Sequence, residues 1–204
     1  MLLTEGQNDC HVISHLCKLH QVPHNFGLYD CESDEKAIKK LRALIAGSDK
    51  KEVIGIVLDA DNPSLAAKWD AVSDRLSKEG YKLPDQPNNK GTIITADKNP
   101  EENPKIGIWL MPDNNVNGML EDFCRGLVGD SAMTFAEDCV KKAQDQGVST
   151  FKNNHHSKAV IHTFLAWQDE PGMPLGQAIT AHALDGNKPI AKDFVNFLSI
   201  LFKE

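Results

Sequence analysis

Four carboxylates in the first third of the chain have the types and spacing to do chemistry together. Glu5 and Asp9 lie four apart in "TEGQND", and Asp59 and Asp61 flank one alanine in "VLDADNP". Carboxylates are hard oxygen donors that repel one another when crowded. A hard divalent cation removes that repulsion, and Mg²⁺ takes one or two carboxylates together with water and phosphate oxygens. The chemistry expected of such a set is metal-assisted attack on a phosphate ester. Either pair alone has a plainer explanation, because an acidic residue after a strand often caps the next helix, as Asp9 or Asp61 could. The stronger reading needs elements that bring all four to one edge.

The hydrophobic pattern supplies those elements. Residues 1–4 form a short apolar run, and Asp9–His20 has helical spacing, with Val12, Ile13, Leu16, Cys17 and His20 on one face. Residues 25–31 read as a strand. Ser33 caps a helix whose stripe is Ala37, Ile38, Leu41 and Ile45 and which Gly47 ends. Residues 52–61 are a near-continuous apolar run, the pattern of a strand covered on both faces. Asn62 and Pro63 read as N-cap and first turn of a helix carrying Leu65, Trp69, Val72 and Leu76 as far as Gly80. Strands alternating with helices predict an α/β fold, a mainly parallel sheet flanked by helices. Residues 91–97 and 105–113 read as a hairpin or edge pair. From 118 the chain is helical, over about 118–128, 132–146, 156–168, 175–184 and 191–203. One domain over 1–204 is expected, with a core of about 1–115 and a helical extension of about 118–204.

Ligands of open α/β sheets collect beyond the carboxyl ends of the strands. Glu5 ends the first predicted strand, and Asp59 and Asp61 end the central one with their side chains on the same side. Asp9 opens the first helix and leans back over the same rim. Asp113 ends the last strand and Glu121 follows a glycine-containing turn, so these two are secondary candidates for a second metal. For Glu121 and Asp122 a simple interaction with a helix dipole competes with that role.

Composition narrows the field. The chain has 204 residues, 41% hydrophobic and 25% charged, which is ordinary globular composition. No apolar run approaches the ~20 residues of a membrane helix, and the start lacks the basic and apolar regions of a signal peptide. Five cysteines without a CxxC pair read as reduced thiols of a cytoplasmic protein. A net charge of −7 argues against a broad basic patch for nucleic acid. Bound divalent ions, however, reverse the local sign of a carboxylate cluster.

"TEGQNDCHVI" followed by "IGIVLDADNP" resembles the Toprim domain of topoisomerases, bacterial primases and OLD-family nucleases. Its signature is Glu–Gly after the first strand and Asp-x-Asp after a later one. Glu5, Asp59 and Asp61 match those positions, and Asp9 matches the acidic residue of the nuclease branch. "GIWLMPDNNVNGMLEDF" and "HSKAVIHTFLAWQDEPGMPLGQAI" resemble a small bacterial Toprim-related family of unknown function, akin to the OLD-type nucleases. The resemblance implies Mg²⁺ or Mn²⁺ as cofactor, phosphodiester chemistry on nucleic acid, and a separate ATPase chain as partner, since no ATPase domain accompanies this sequence. It also implies a role for Lys158, because OLD-type nucleases place a lysine after the last strand of the core.

Lys158 and His162 stand four apart on a stretch that is otherwise nearly all apolar, so burial and polar partners are expected for both. Asp169 or Glu170 is the structural partner for Lys158, and a transferring phosphate is the functional one. His11 and His15, and the adjacent His155 and His156, read as solvated surface histidines. The leading expectation is a metal-dependent nuclease in which Glu5 and Lys158 act on the phosphate and Asp59, Asp61 and Glu5 hold the metal. Two alternatives are a non-catalytic binding module and a Mg²⁺-dependent small-molecule phosphatase. The latter rests on a superficial likeness of "DADNP" to haloacid-dehalogenase-type enzymes, from which Pro63 and the strand's position depart.

Overall fold

The computed structural model describes every residue except His24, Asp49, Lys50, Asn62 and Glu204. Five strands form one sheet: β1 (Leu2–Thr4), β2 (Leu28–Asp30), β3 (Val53–Asp59), β4 (Thr92–Ile94) and β5 (Lys105–Met111). Their order is β2-β1-β3-β5-β4, all parallel except β4, which runs antiparallel along the edge of β5. The expected α/β class and the edge pair are both present. The chain leaves β1 for one neighbour, β2, and then returns to the other side as β3. The winding therefore reverses between β1 and β3, and that reversal opens a crevice at their carboxyl ends.

Helices cover both faces. α1 (Gln7–Leu19), α2 (Asp34–Ala46) and α3 (Leu65–Lys78) alternate with the strands. α4 (Leu120–Arg125), α5 (Asp130–Asp145), α6 (His156–Leu165), α7 (Leu175–Thr180) and α8 (Pro189–Leu201) form the C-terminal extension. Period-2 alternation sorts the strand side chains. Ile54, Ile56, Leu58, Ile106, Ile108 and Leu110 pack under α2 and α3, while Val57, Trp109 and Met111 join α1 and the C-terminal helices. On that second face Gly55 and Gly107 are register partners. A side chain at Gly107 would overlap Leu201 of α8, so the paired glycines form a notch that receives the leucine.

Local signals place the ends. Ser33 caps α2 by accepting the Lys36 amide at 3.2 Å. The cap of α3 is Ser64, which accepts the Ala67 amide at 3.2 Å, so the helix begins at Leu65 and Pro63 precedes it. The expected cap Asn62 lies outside the described residues. α6 departs more. Only Val160, Ile161, Phe164 and Leu165 are buried, and Lys158 and His162 are exposed. The helix packs one face against its neighbours and leaves the polar residues on the other. Among the described residues no helix is long and apolar enough to cross a membrane.

Candidate functional site

A cleft of about 510 Å³ lies at the β1/β3 reversal. Glu5 enters it from the turn after β1, and Asp59 and Asp61 from the end of β3. Asp9 arrives on the first turn of α1 and Glu121 on the first turn of α4. Asn154, His155 and Lys158, around the start of α6, also line it. The four primary carboxylates and Glu121 thus share one site. Asp113 does not join them: its Oδ1 accepts the amides of Asn115 and Val116 at 2.9 and 3.1 Å, closing a turn after β5. Asp122 is likewise turned away, accepting from the Met119 amide and Ser157 and pairing with Arg125.

Hydrogen bonds link the carboxylates through the backbone. Glu5 Oε1 accepts the Asp59 amide at 2.8 Å, and Asp59 Oδ1 accepts the Leu120 amide at 2.9 Å. The Ala60 amide donates to the Gly118 carbonyl at 2.7 Å, tying the end of β3 to the turn before α4. Glu5 therefore also fixes the strand end that carries Asp59, and Asp59 the turn that carries Glu121.

Crowding and burial change their acidity. Burial is the larger cause in each case, followed for Asp9 and Asp59 by repulsion from neighbouring carboxylates. Glu5 is pushed up to about 7, its rise held back by the Asp59 amide and Lys68. Asp9 is pushed up to about 7 by burial and then by Glu5. Asp59, facing Asp9, Glu5, Glu121 and Asp61, is pushed up to about 9. A row of acids that resists full ionisation on its own is the environment a cation relieves.

Cationic side chains stand at both ends of this row. Lys158 Nζ is 3.5 Å from Glu121 Oε1, with the lysine side chain 52% exposed and the glutamate 8%. Its partner is thus Glu121, in place of Asp169 or Glu170. At the other end Lys68, buried on α3, pairs with Asp34 and lies 4.0 Å from Glu5 Oε1. Sequence reasoning missed Lys68 because its position on the helix stripe, one residue before Trp69, carries no signal of a charge. His155 is exposed, as expected of a solvated histidine, and also borders the cleft, where the turn at Asn153–His155 that leads into α6 brings it. His15 is also no free surface histidine, since its Nδ1 is 2.6 Å from Thr180 Oγ1.

The acidic donors are all oxygen, which suits Mg²⁺ or Mn²⁺, and His155 is the imidazole beside them. Among the described residues no three His, Cys, Asp or Glu side chains converge as a ready-made cage. Mg²⁺ does not require one, because it is held by one or two carboxylates with water completing the octahedron. Glu5 and Asp59 each commit one oxygen to an amide, which leaves the second oxygen of each carboxylate for an ion.

A family model described as "Protein of unknown function (DUF3226)" matches residues 1–203. No curated protein matches the chain. No solved structure matches it either.

Proposed function

We propose that this chain, which belongs to the DUF3226 family, is a Toprim-type phosphodiester hydrolase that uses Mg²⁺ or Mn²⁺ and acts on nucleic acid. One observation carries the reading: Glu5, Asp9, Asp59, Asp61 and Glu121, from four separate elements, line one cleft together with Lys158. The order of Glu–Gly after β1 and Asp-x-Asp after β3 supports the Toprim assignment, and the parallel sheet is compatible with it.

Glu5, Asp59 and Asp61 would hold the metal, one or two of them directly and the rest through its water shell, and Asp9 and Glu121 suit a second ion. A bound divalent ion supplies a polarised phosphoryl oxygen and a water of lowered pKa. Glu5 titrates at about 7 in the metal-free chain, and an ion bound beside it would favour the ionised carboxylate that serves as a ligand. The half-exposed Lys158 ammonium meets negative charge developing on the phosphate. A separate ATPase chain is the partner in this reading.

The test is plasmid nicking with Mg²⁺ and with Mn²⁺, wild type beside Asp59→Ala. Metal-dependent nicking that disappears in the variant is the expected result. A variant that nicks at the wild-type rate overturns the assignment, and turnover of small phosphoesters without nicking transfers it to a phosphatase. A second reading, a non-catalytic binding module, is favoured by the hydrogen bonds that already engage Glu5 and Asp59. An unchanged melting temperature in millimolar Mg²⁺ or Mn²⁺ would favour it, because a ligand of the native state must raise stability.

A further inference from the structure

We infer that Lys68 is a positioning residue for Glu5, held in place by Asp34; the inference rests on the reading of the cleft as a metal site. Lysine is among the residues least often buried, because its ammonium loses hydration. Lys68 is nevertheless 5% exposed, on the buried face of α3. Its ammonium pairs with Asp34, the first residue of α2, and lies 4.0 Å from Glu5 Oε1. The same Oε1 accepts the Asp59 amide. One oxygen of Glu5 thus accepts the backbone amide at the end of β3 and lies within ion-pair reach, beyond hydrogen-bond length, of a cation from α3.

Burying an ion pair of this kind gains little stability over an apolar pair of equal volume, because desolvation offsets the attraction. What the arrangement does supply is orientation. Lys68 and Asp34 act on Glu5 in opposite directions, the lysine more strongly, so their charges partly cancel there. They act as a bracket: α2 holds the aspartate, the aspartate holds the ammonium, and the ammonium faces Glu5. Lys158 at the other end differs in kind. It is half exposed and its partner Glu121 is at 3.5 Å, so it is available to an incoming anion, whereas Lys68 is committed.

The experiment is calorimetric titration of the full chain with Mn²⁺ alone, with circular dichroism recorded on each variant. Lys68→Met combined with Asp34→Asn removes the bracket while conserving volume and net charge. A bracket that merely fills space predicts unchanged affinity. The positioning role predicts Mn²⁺ binding weaker by about tenfold or more with the fold retained, the scale usual for groups that orient metal ligands. Lys68→Arg, which keeps the cation, is expected to stay within about threefold of wild type, on the same scale. A double variant that binds as wild type does overturns the role of Lys68 and leaves the metal site standing. A folded wild type that binds no Mn²⁺ overturns both. Should the double variant not fold, Lys68→Gln decides: it leaves the Asp34 charge, which alone would tighten Mn²⁺ binding, so a loss of about tenfold sustains the proposal and unchanged or tighter binding overturns it.

Discussion

The carboxylates of the cleft make stability depend on pH in an unusual direction. Glu5 and Asp9 hold protons up to about 7 and Asp59 up to about 9 in the folded chain, whereas unfolded carboxylates release theirs near 4. The folded state then binds more protons than the unfolded state across that window. The stabilisation is fully present below the unfolded values and is lost as pH rises through the folded ones. Urea midpoints measured in chelator are expected to fall from pH 6 to pH 9, and millimolar Mg²⁺ is expected to recover the loss at pH 9. A midpoint that rises with pH under chelation would show these acids to be ionised and otherwise compensated. At this scale the placement of Glu5, Asp9, Asp59 and Asp61 at one edge was legible, because strand ends and a Glu–Gly or Asp-x-Asp spacing are local features. The sequence did not show that the Asp113 carboxylate closes its own turn outside the cleft, and it was silent on Lys68. The neighbours that matter there, Asp34 and Glu5, are distant in the chain and meet only after folding.

Among the elements, the fit of α8 on the sheet is the point most open to measurement. Leu201 lies in the notch made by Gly55 and Gly107. Leu201→Ala is expected to cost about 2–5 kcal/mol, the range for emptying a buried leucine site. Gly107→Ala overpacks the same notch and is expected to cost about 1–3 kcal/mol. The double variant should cost less than the sum, since the new methyl enters the space the leucine vacates. Strict additivity in urea unfolding would show that the two residues do not share a cavity. The alternation of strands and helices was legible because hydrophobic period reports one element at a time. The ends were less so: the cap of α3 is Ser64, one residue past the proline that marked the predicted start. For α6 the pattern misled. Its apolar content suggested burial all round, yet tertiary packing covers one face and leaves Lys158 and His162 outside. That exposure is what lets Lys158 reach the cleft.

Over the whole molecule, a net charge of −7 repels a polyanion at long range. If the substrate is nucleic acid, divalent ions must do more than assist chemistry; they must make the approach possible. Binding of a DNA or RNA oligonucleotide is expected to be undetectable in chelator at low salt and to appear with Ca²⁺, which supplies charge while slowing turnover. Tight binding in chelator would place the contact on a basic surface away from the cleft. The sheet order β2-β1-β3-β5-β4 explains why the carboxylates gather where they do, since the winding reverses beside β1.

The notch in the sheet also bears on how the chain is made. Trp109 of β5 is packed edge-on by Phe194 and flanked by Phe197, both on α8, and Leu201 of the same helix closes over Gly55 and Gly107. A ribosome delivers these strands long before it delivers α8. During that interval a growing chain carries an indole and a glycine-lined groove without their cover, and local pairing within the strands cannot supply it. Completion of this face is therefore a late, long-range event, and until α8 docks the indole and the glycine-lined groove lack that cover.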